Sequence, residues 1–146
     1  MMILRPYINN DFQLLNQYFP AAEIGKYTNK GRYKLLSLLG FYKSHFMVLI
    51  DNKQLIGCGV LRHKWSREVR RKGWWFYAIW INPIYRGKGY GFFLMQELLS
   101  EVKIKKIEQV SLIVDEDNKI ARNLYKKIGF VEIGKNKQQI VMQYDL

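Results

Sequence analysis

The spacing of apolar positions divides the chain into short strands and amphipathic helices. Ile3, Leu4 and Tyr7 around Pro6 predict a first strand, and the proline places it at a sheet edge or a strand end. Asn10 or Asp11 can cap a helix carrying Phe12, Leu15, Tyr18 and Phe19, which Pro20 closes. Residues 25–31 are polar and read as loop, and a second helix follows with Tyr33, Leu35, Leu36, Leu38 and Leu39 before a stop at Gly40. His45 to Ile50 and Gln54 to Arg62 are apolar runs either side of the turn Asp51-Asn52-Lys53, which predicts a hairpin. A third strand begins near Gly73 and continues as an unbroken apolar run from Trp74 to Ile81, ending at Asn82 and Pro83.

Next comes a basic glycine turn, Arg86-Gly87-Lys88-Gly89-Tyr90-Gly91, and a helix whose inner face is Phe92, Met95, Leu99 and Val102, with Gln96, Glu101 and Lys103 turned away. Lys103, Lys105 and Lys106 complement the dipole at its end. Val110 to Val114 is a β-branched strand and Asp115 to Asp117 an acidic turn. Asp117 or Asn118 caps a further helix with Ile120, Ala121, Leu124, Tyr125 and Ile128 inward and Gly129 as its stop. Phe130 to Gly134 and Gln139 to Tyr144 form a closing hairpin over Lys135 to Lys137. The order β-α-α-β-β-β-α-β-α-β-β predicts an α/β fold, a mixed sheet with helices on its faces, with residues 1–146 as one domain.

The glycine turn is where chemistry enters. A helix entered through glycines presents unpaired backbone N–H groups and a partial positive charge, a natural seat for phosphate or pyrophosphate. Arg86 and Lys88 add side-chain cations, and Gly89 and Gly91 remove Cβ atoms where backbone must approach a ligand closely. The chain therefore reads as built to hold a phosphorylated cofactor.

Charge and composition narrow the setting. With 24 Lys and Arg against 12 Asp and Glu the formal charge is +12, which favours anionic partners. The cations are spread from Arg5 to Lys137, and that even spread argues against nucleic acid. One dense run, Arg62 to Lys72, reads as a solvated hairpin tip; a functional version of it would be a cationic rim with Trp65 as an aromatic platform. No apolar run is long enough to span a membrane, the first residues lack a signal-peptide layout, and the single Cys58, expected to be a small core residue, excludes an internal disulfide. A cytoplasmic protein without a metal is expected.

Two stretches resemble a known family. Ile81-Asn82-Pro83-Ile84-Tyr85-Arg86-Gly87-Lys88-Gly89-Tyr90-Gly91 is similar to the acyl-CoA signature of the GCN5-related N-acetyltransferase (GNAT) superfamily, whose pyrophosphate loop reads Arg/Gln-x-x-Gly-x-Gly/Ala. Asn118-Lys119-Ile120-Ala121, Tyr125 and Gly129-Phe130 resemble the family's Asn-x-x-Ala-x-x-x-Tyr-x-x-x-Gly-Phe segment. The resemblance implies a GNAT-like fold and acetyl-CoA as co-substrate. It implies pyrophosphate contacts from Arg86, Gly87, Lys88, Gly89, Tyr90 and Gly91, and main-chain contacts to the pantetheine arm at Ile79 and Ile81, where the strand splays from Leu112–Val114. Asn118 would bond the arm from the other side. Tyr125 would protonate the leaving thiolate from the start of its helix, and the pair of helices after the first strand would wall the acceptor site with Glu23, Tyr27 and Tyr33.

The sequence also departs from that pattern. Where many members have a basic glutamate in the strand before the phosphate loop, Tyr77 is the sole titratable residue, and the position matching a glutamate of peptide-acetylating members is Ile113. The leading expectation is an N-acetyltransferase moving acetyl from acetyl-CoA to a primary amine in a ternary complex, the amine carried by a neutral or anionic small molecule or peptide. A CoA-binding sensor without catalysis and a basic nucleic-acid-binding module stay open as alternatives.

Overall fold

A computed structural model describes residues 1–18, 45–67 and 69–146. Its elements are β1 (Met2–Pro6), α1 (Asp11–Tyr18), β2 (Phe46–Asp51), β3 (Gln54–Ser66), β4 (Arg71–Ile81), a 3-10 turn (Pro83–Tyr85), α2 (Tyr90–Ile104), β5 (Gln109–Asp115), α3 (Lys119–Ile128), β6 (Val131–Asn136) and β7 (Gln139–Asp145). The expected polar loop over 25–31, the expected helix from Tyr33 to Leu39, and Glu23 and Tyr27 lie outside the described residues.

The seven strands form one sheet in the order β1-β2-β3-β4-β5-β7-β6. Neighbours are antiparallel except β4 and β5, which run parallel because α2 carries the chain back between them. Pro6 ends the edge strand β1, where its missing N–H costs no ladder bond. Alternation gives the two faces different partners. Leu61, Phe76, Leu112 and Met142 point to the side packed by Leu94, Met95, Leu98, Leu99 and Val102 of α2 and by Tyr125 of α3. Phe46, Val48, Cys58, Val60 and Trp80 point to the other side, where Leu15 of α1 is fully buried. Cys58 is the core residue expected of it: its Sγ lies 3.6 Å from the Ala78 carbonyl, and burial pushes the thiol pKa up.

Three expectations are corrected. Phe92 is 37% exposed and Leu94 and Leu98 take its place in the stripe, because the buried face of α2 is centred on Leu94, Met95, Leu98, Leu99 and Val102 and leaves Phe92 on its flank. Ile120 is 87% exposed, since α3 packs through Ala121, Leu124, Tyr125 and Ile128 and Ile120 lies off that face. The basic run from Arg62 to Lys72 is mostly strand: β3 pairs with β4 out to Ser66 and Arg71, leaving a short turn between them. Among the described residues no helix is long and apolar enough to cross a membrane.

One buried ion pair anchors α1. Asp11 accepts from both terminal nitrogens of Arg5, at 2.7 and 2.8 Å, and from the Ile8 N–H at 2.8 Å. Burial alone would raise the Asp11 carboxyl; the Arg5 fork and the backbone donor outweigh it and hold the pKa below the usual carboxylate range. A folded-state pKa below the unfolded one adds stability that is complete above about pH 4 and is lost as pH falls through the folded value. Asp11→Asn should therefore cost about 2 kcal/mol at neutral pH. In thermal melts the gap from wild type should close as pH drops below about 4; a gap that stays constant with pH would assign the loss to packing.

Candidate active site

β4 and β5 touch only briefly. Their parallel register covers Trp74 opposite Val110 and Trp75 opposite Ser111, and from there the strands part. A bulge drives the parting: the register with β3 slips between Cys58 and Val60, and Ala78 takes a left-handed φ of 48°. For a residue with a Cβ that conformation costs roughly 1–2 kcal/mol, so the surrounding pairing must impose it. A buried asparagine then fixes the end of β4 to β3. Asn82, 2% exposed, donates from Nδ2 to the Leu55 carbonyl at 3.0 Å and from its N–H to the Ile56 carbonyl at 2.8 Å. Its Oδ1 accepts the Ile84 N–H at 3.4 Å, which starts the 3-10 turn. The result is a wedge between Ile79–Ile81 and the upper half of β5.

The glycine turn sits at the mouth of this wedge. Arg86 reaches back, its Nε donating to the Ile81 carbonyl at 2.8 Å. The Tyr85 ring meets Tyr90 edge-on at 5.8 Å and its hydroxyl bonds the Gln54 side chain, while Lys88 Nζ lies 5.9 Å from the Tyr85 ring. Gly87 and Gly89 have φ of 74° and 85°, and a Cβ built at either meets nothing within 4 Å. Gly89 is the N-cap of α2, and no side chain caps that end. The first intrahelical bond runs from Phe93 N–H to the Gly89 carbonyl, at 3.2 Å. The N–H groups of Tyr90, Gly91 and Phe92 therefore face open space at the positive end of a helix dipole. That cradle fits an anion.

The opposite bank is α3. Asn118 caps it, its Oδ1 accepting the Ala121 N–H at 3.3 Å, which leaves the side-chain NH2 for any ligand in the wedge. Tyr125 is 7% exposed, with its ring 5.9 Å from Phe130, which in turn lies 5.3 Å from Tyr144. Burial pushes the Tyr125 pKa up, so the phenol stays protonated at neutral pH. The expected position at the start of the helix is corrected: Asn118 sets the first turn at Lys119, and Tyr125 stands almost two turns further on. Gly129 closes the helix at φ 123°, against the Tyr144 ring.

The sequence profile of the Acetyltransferase (GNAT) family matches residues 12–130. The chain belongs to that family. A [ribosomal protein bS18]-alanine N-acetyltransferase of Haemophilus influenzae is 35% identical over 85 residues, 58% of this chain and 53% of that protein. The chain thus spans about half the length of that relative. Among solved structures, a protein of Pyrococcus horikoshii superposes with a TM-score of 0.81 at 21% identity, covering 100% of this chain and 99% of that one. The PaiA N-acetyltransferase of Thermoplasma acidophilum, solved with coenzyme A, gives 0.73 at 19% identity over 100% and 99% of the two chains.

Within this GNAT fold the residues singled out by sequence are distributed as Ile79 and Ile81 on β4, Arg86 to Gly89 in the turn after it, Tyr90 and Gly91 in the first turn of α2, Asn118 at the cap of α3 and Tyr125 on its buried face. Sequence reading missed Asn82 as a clamp, although an asparagine directly before Pro83 is a recognisable turn former. It also gave Gly91 one task where the structure shows another. A Cβ there would lie 3.2 Å from Leu124 Cδ2, so Gly91 lets α2 meet α3. Gly91→Val should cost about 1–3 kcal/mol by wedging the helices apart. Adding Leu124→Ala should recover part of that loss in a denaturant-melt double-mutant cycle; strict additivity would remove the contact from the account.

Proposed function

We propose that the protein transfers an acetyl group from acetyl-CoA directly to a primary amine. The observation that carries this reading is the parting of β4 from β5 beside an uncapped, glycine-entered helix end: a strand-like ligand can pair along the wedge while its pyrophosphate occupies the cradle. Gly87, Gly89 and the first N–H groups of α2 would bind the pyrophosphate, with Arg86 and Lys88 beside it. The backbone at Ile79 and Ile81 would hold the pantetheine arm, and an N–H near Ile79 would polarise the acyl carbonyl. Asn118 would bond the arm from α3. Tyr125, kept protonated by burial, would deliver the proton that the departing thiolate needs.

The acceptor amine sits, in this reading, on a neutral or anionic molecule, because the charge of +12 opposes a polycation; the Haemophilus relative is named for an alanine of a ribosomal protein, which keeps a peptide amine among the acceptors to test. The single buried cysteine suits a reducing compartment, and we place the enzyme in the cytoplasm. No carboxylate lies on β4 between Trp74 and Ile81, so deprotonation of the amine falls to water or to an acceptor already partly neutral.

Thiol release from acetyl-CoA over an amine panel matched in size and varied in charge tests the reaction. Binding of CoA without thiol release would leave a sensor. Gly89→Asp keeps the left-handed turn open to a short polar residue but sets a carboxylate against the pyrophosphate. Calorimetry should show CoA binding abolished with the melting temperature near wild type, and equal binding would move the phosphate site elsewhere.

Tyr125→Phe keeps the ring contact with Phe130 and removes the proton, so kcat should fall about 100-fold with CoA affinity almost unchanged. Because the folded-state phenol titrates above its ordinary value, wild-type kcat should rise with pH as the acceptor deprotonates and show no descending limb up to about pH 10. A descending limb below that pH, absent in Tyr125→Phe, would contradict the sealed phenol.

A further inference from the structure

The far end of α2 carries a second surface that acyl transfer does not use. Antiparallel pairing puts Trp65 directly opposite Lys72, and the next pair on the same face is His63 opposite Trp74, with rings 5.1 Å apart. One pair further in, Leu61 and Phe76 belong to the core under α2. The face that carries Trp65 and Lys72 is therefore the face α2 covers, continued past the end of the helix. His45 meets Trp74 edge-on at 5.8 Å. Lys105, just beyond the helix, is close enough to His45 that its charge adds to burial in lowering the imidazole pKa. Lys72, Lys105 and the turn residues Arg67 and Arg70 are exposed, and Trp65 is 57% exposed. The rings of Trp65, His63, Trp74 and His45 thus form a row, with Lys72 paired opposite one end and Lys105 on the side of His45 at the other.

We propose that this surface binds single-stranded RNA, with bases stacked on Trp65 and phosphates held by Lys72 and Lys105. Cations alone would fit any polyanion; the exposed indole among them selects one with free aromatic faces. An acidic protein segment would satisfy the lysines and leave Trp65 in water. A duplex offers phosphates with its bases stacked inward, whereas unpaired, splayed bases are characteristic of RNA loops and ends. The cations as a whole remain spread over the fold; locally, Lys72 stands beside an exposed indole, with Arg67, Arg70 and Lys105 exposed at the same end of the sheet. The inference is independent of the acyl-transfer reading, since none of these residues borders the wedge.

Binding of a short fluorescein-labelled oligouridine to the full chain, followed by anisotropy between about 50 and 200 mM salt, tests it. Wild type should bind, with affinity falling steeply as salt rises. Trp65→Ala should weaken binding about tenfold and Trp65→Phe much less. Lys72→Ala with Lys105→Ala should lower the logarithmic salt slope by about one to two. CoA binding should be unchanged in all three variants, which also reports that they fold. Equal binding by wild type and Trp65→Ala, displacement by polyglutamate at matched charge, tighter binding of a duplex of the same length, or no binding at low salt would each overturn the proposal.

Discussion

The geometry of the whole site depends on hydrogen bonds that β4 and β5 do not make with each other. Two parallel strands in the middle of a sheet ordinarily share their backbone groups along their full length, and each unmade bond leaves a donor or acceptor needing another partner. Here the ladder stops after Trp75 and Ser111. What holds the gap open is local: the bulge at Ala78 turns the strand, and Asn82 ties its end to Leu55 and Ile56 on the side away from β5. Removing either would let β4 drift back toward β5, and the wedge would close on itself before any ligand reached it.

The same constraint places the anion cradle. Because β4 ends pinned to β3, the 3-10 turn from Pro83 to Tyr85 starts in a fixed direction, and Gly87 and Gly89 can swing the chain through left-handed conformations into α2. An ordinary N-cap side chain at Gly89 would occupy the first free N–H groups of the helix. Glycine leaves them to the outside, at some cost in stability of the isolated helix, and the packing of Leu94, Leu98 and Val102 on the sheet more than offsets that cost.

Much of this was legible from residues alone. Apolar spacing marked most of the described elements, and the turn from Arg86 to Gly91 marked the cradle, because both signals are local. The misses are tertiary. Spacing alone does not settle where the edge of the buried stripe falls; Phe92 lies on the flank of the face formed by Leu94, Met95, Leu98 and Leu99, and Lys127 Nζ lies 5.4 Å over its ring. The left-handed Ala78 carries no composition signal, since alanine has no preference for that region, and only pairing with β3 on a shifted register forces it there. The length of the arm formed by β3 and β4 was hidden by its own charges: a run of Lys and Arg reads as loop, yet here His63, Trp65 and Lys72 face solvent on one side of the arm while Lys64 lies over the rings of Trp75 and Tyr77 on the other.

The two ends of α2 show how one element can serve unlike demands. Its N-terminus is stripped of side-chain caps and presents bare donors to the wedge. Its C-terminus carries Lys103 in the last turn and Lys105 at the cap, which the dipole favours whether or not a ligand is ever present. The charge of Lys103 and Lys105 therefore has a structural cause of its own. The dipole does not account for Lys72 or Trp65, which belong to a different element and reach the same surface only through the register with which β3 meets β4. Charge at a helix end is explained by the helix; an exposed indole held opposite Lys72 by strand pairing is not, and it is that pairing, rather than the helix terminus, on which the proposed partner surface rests.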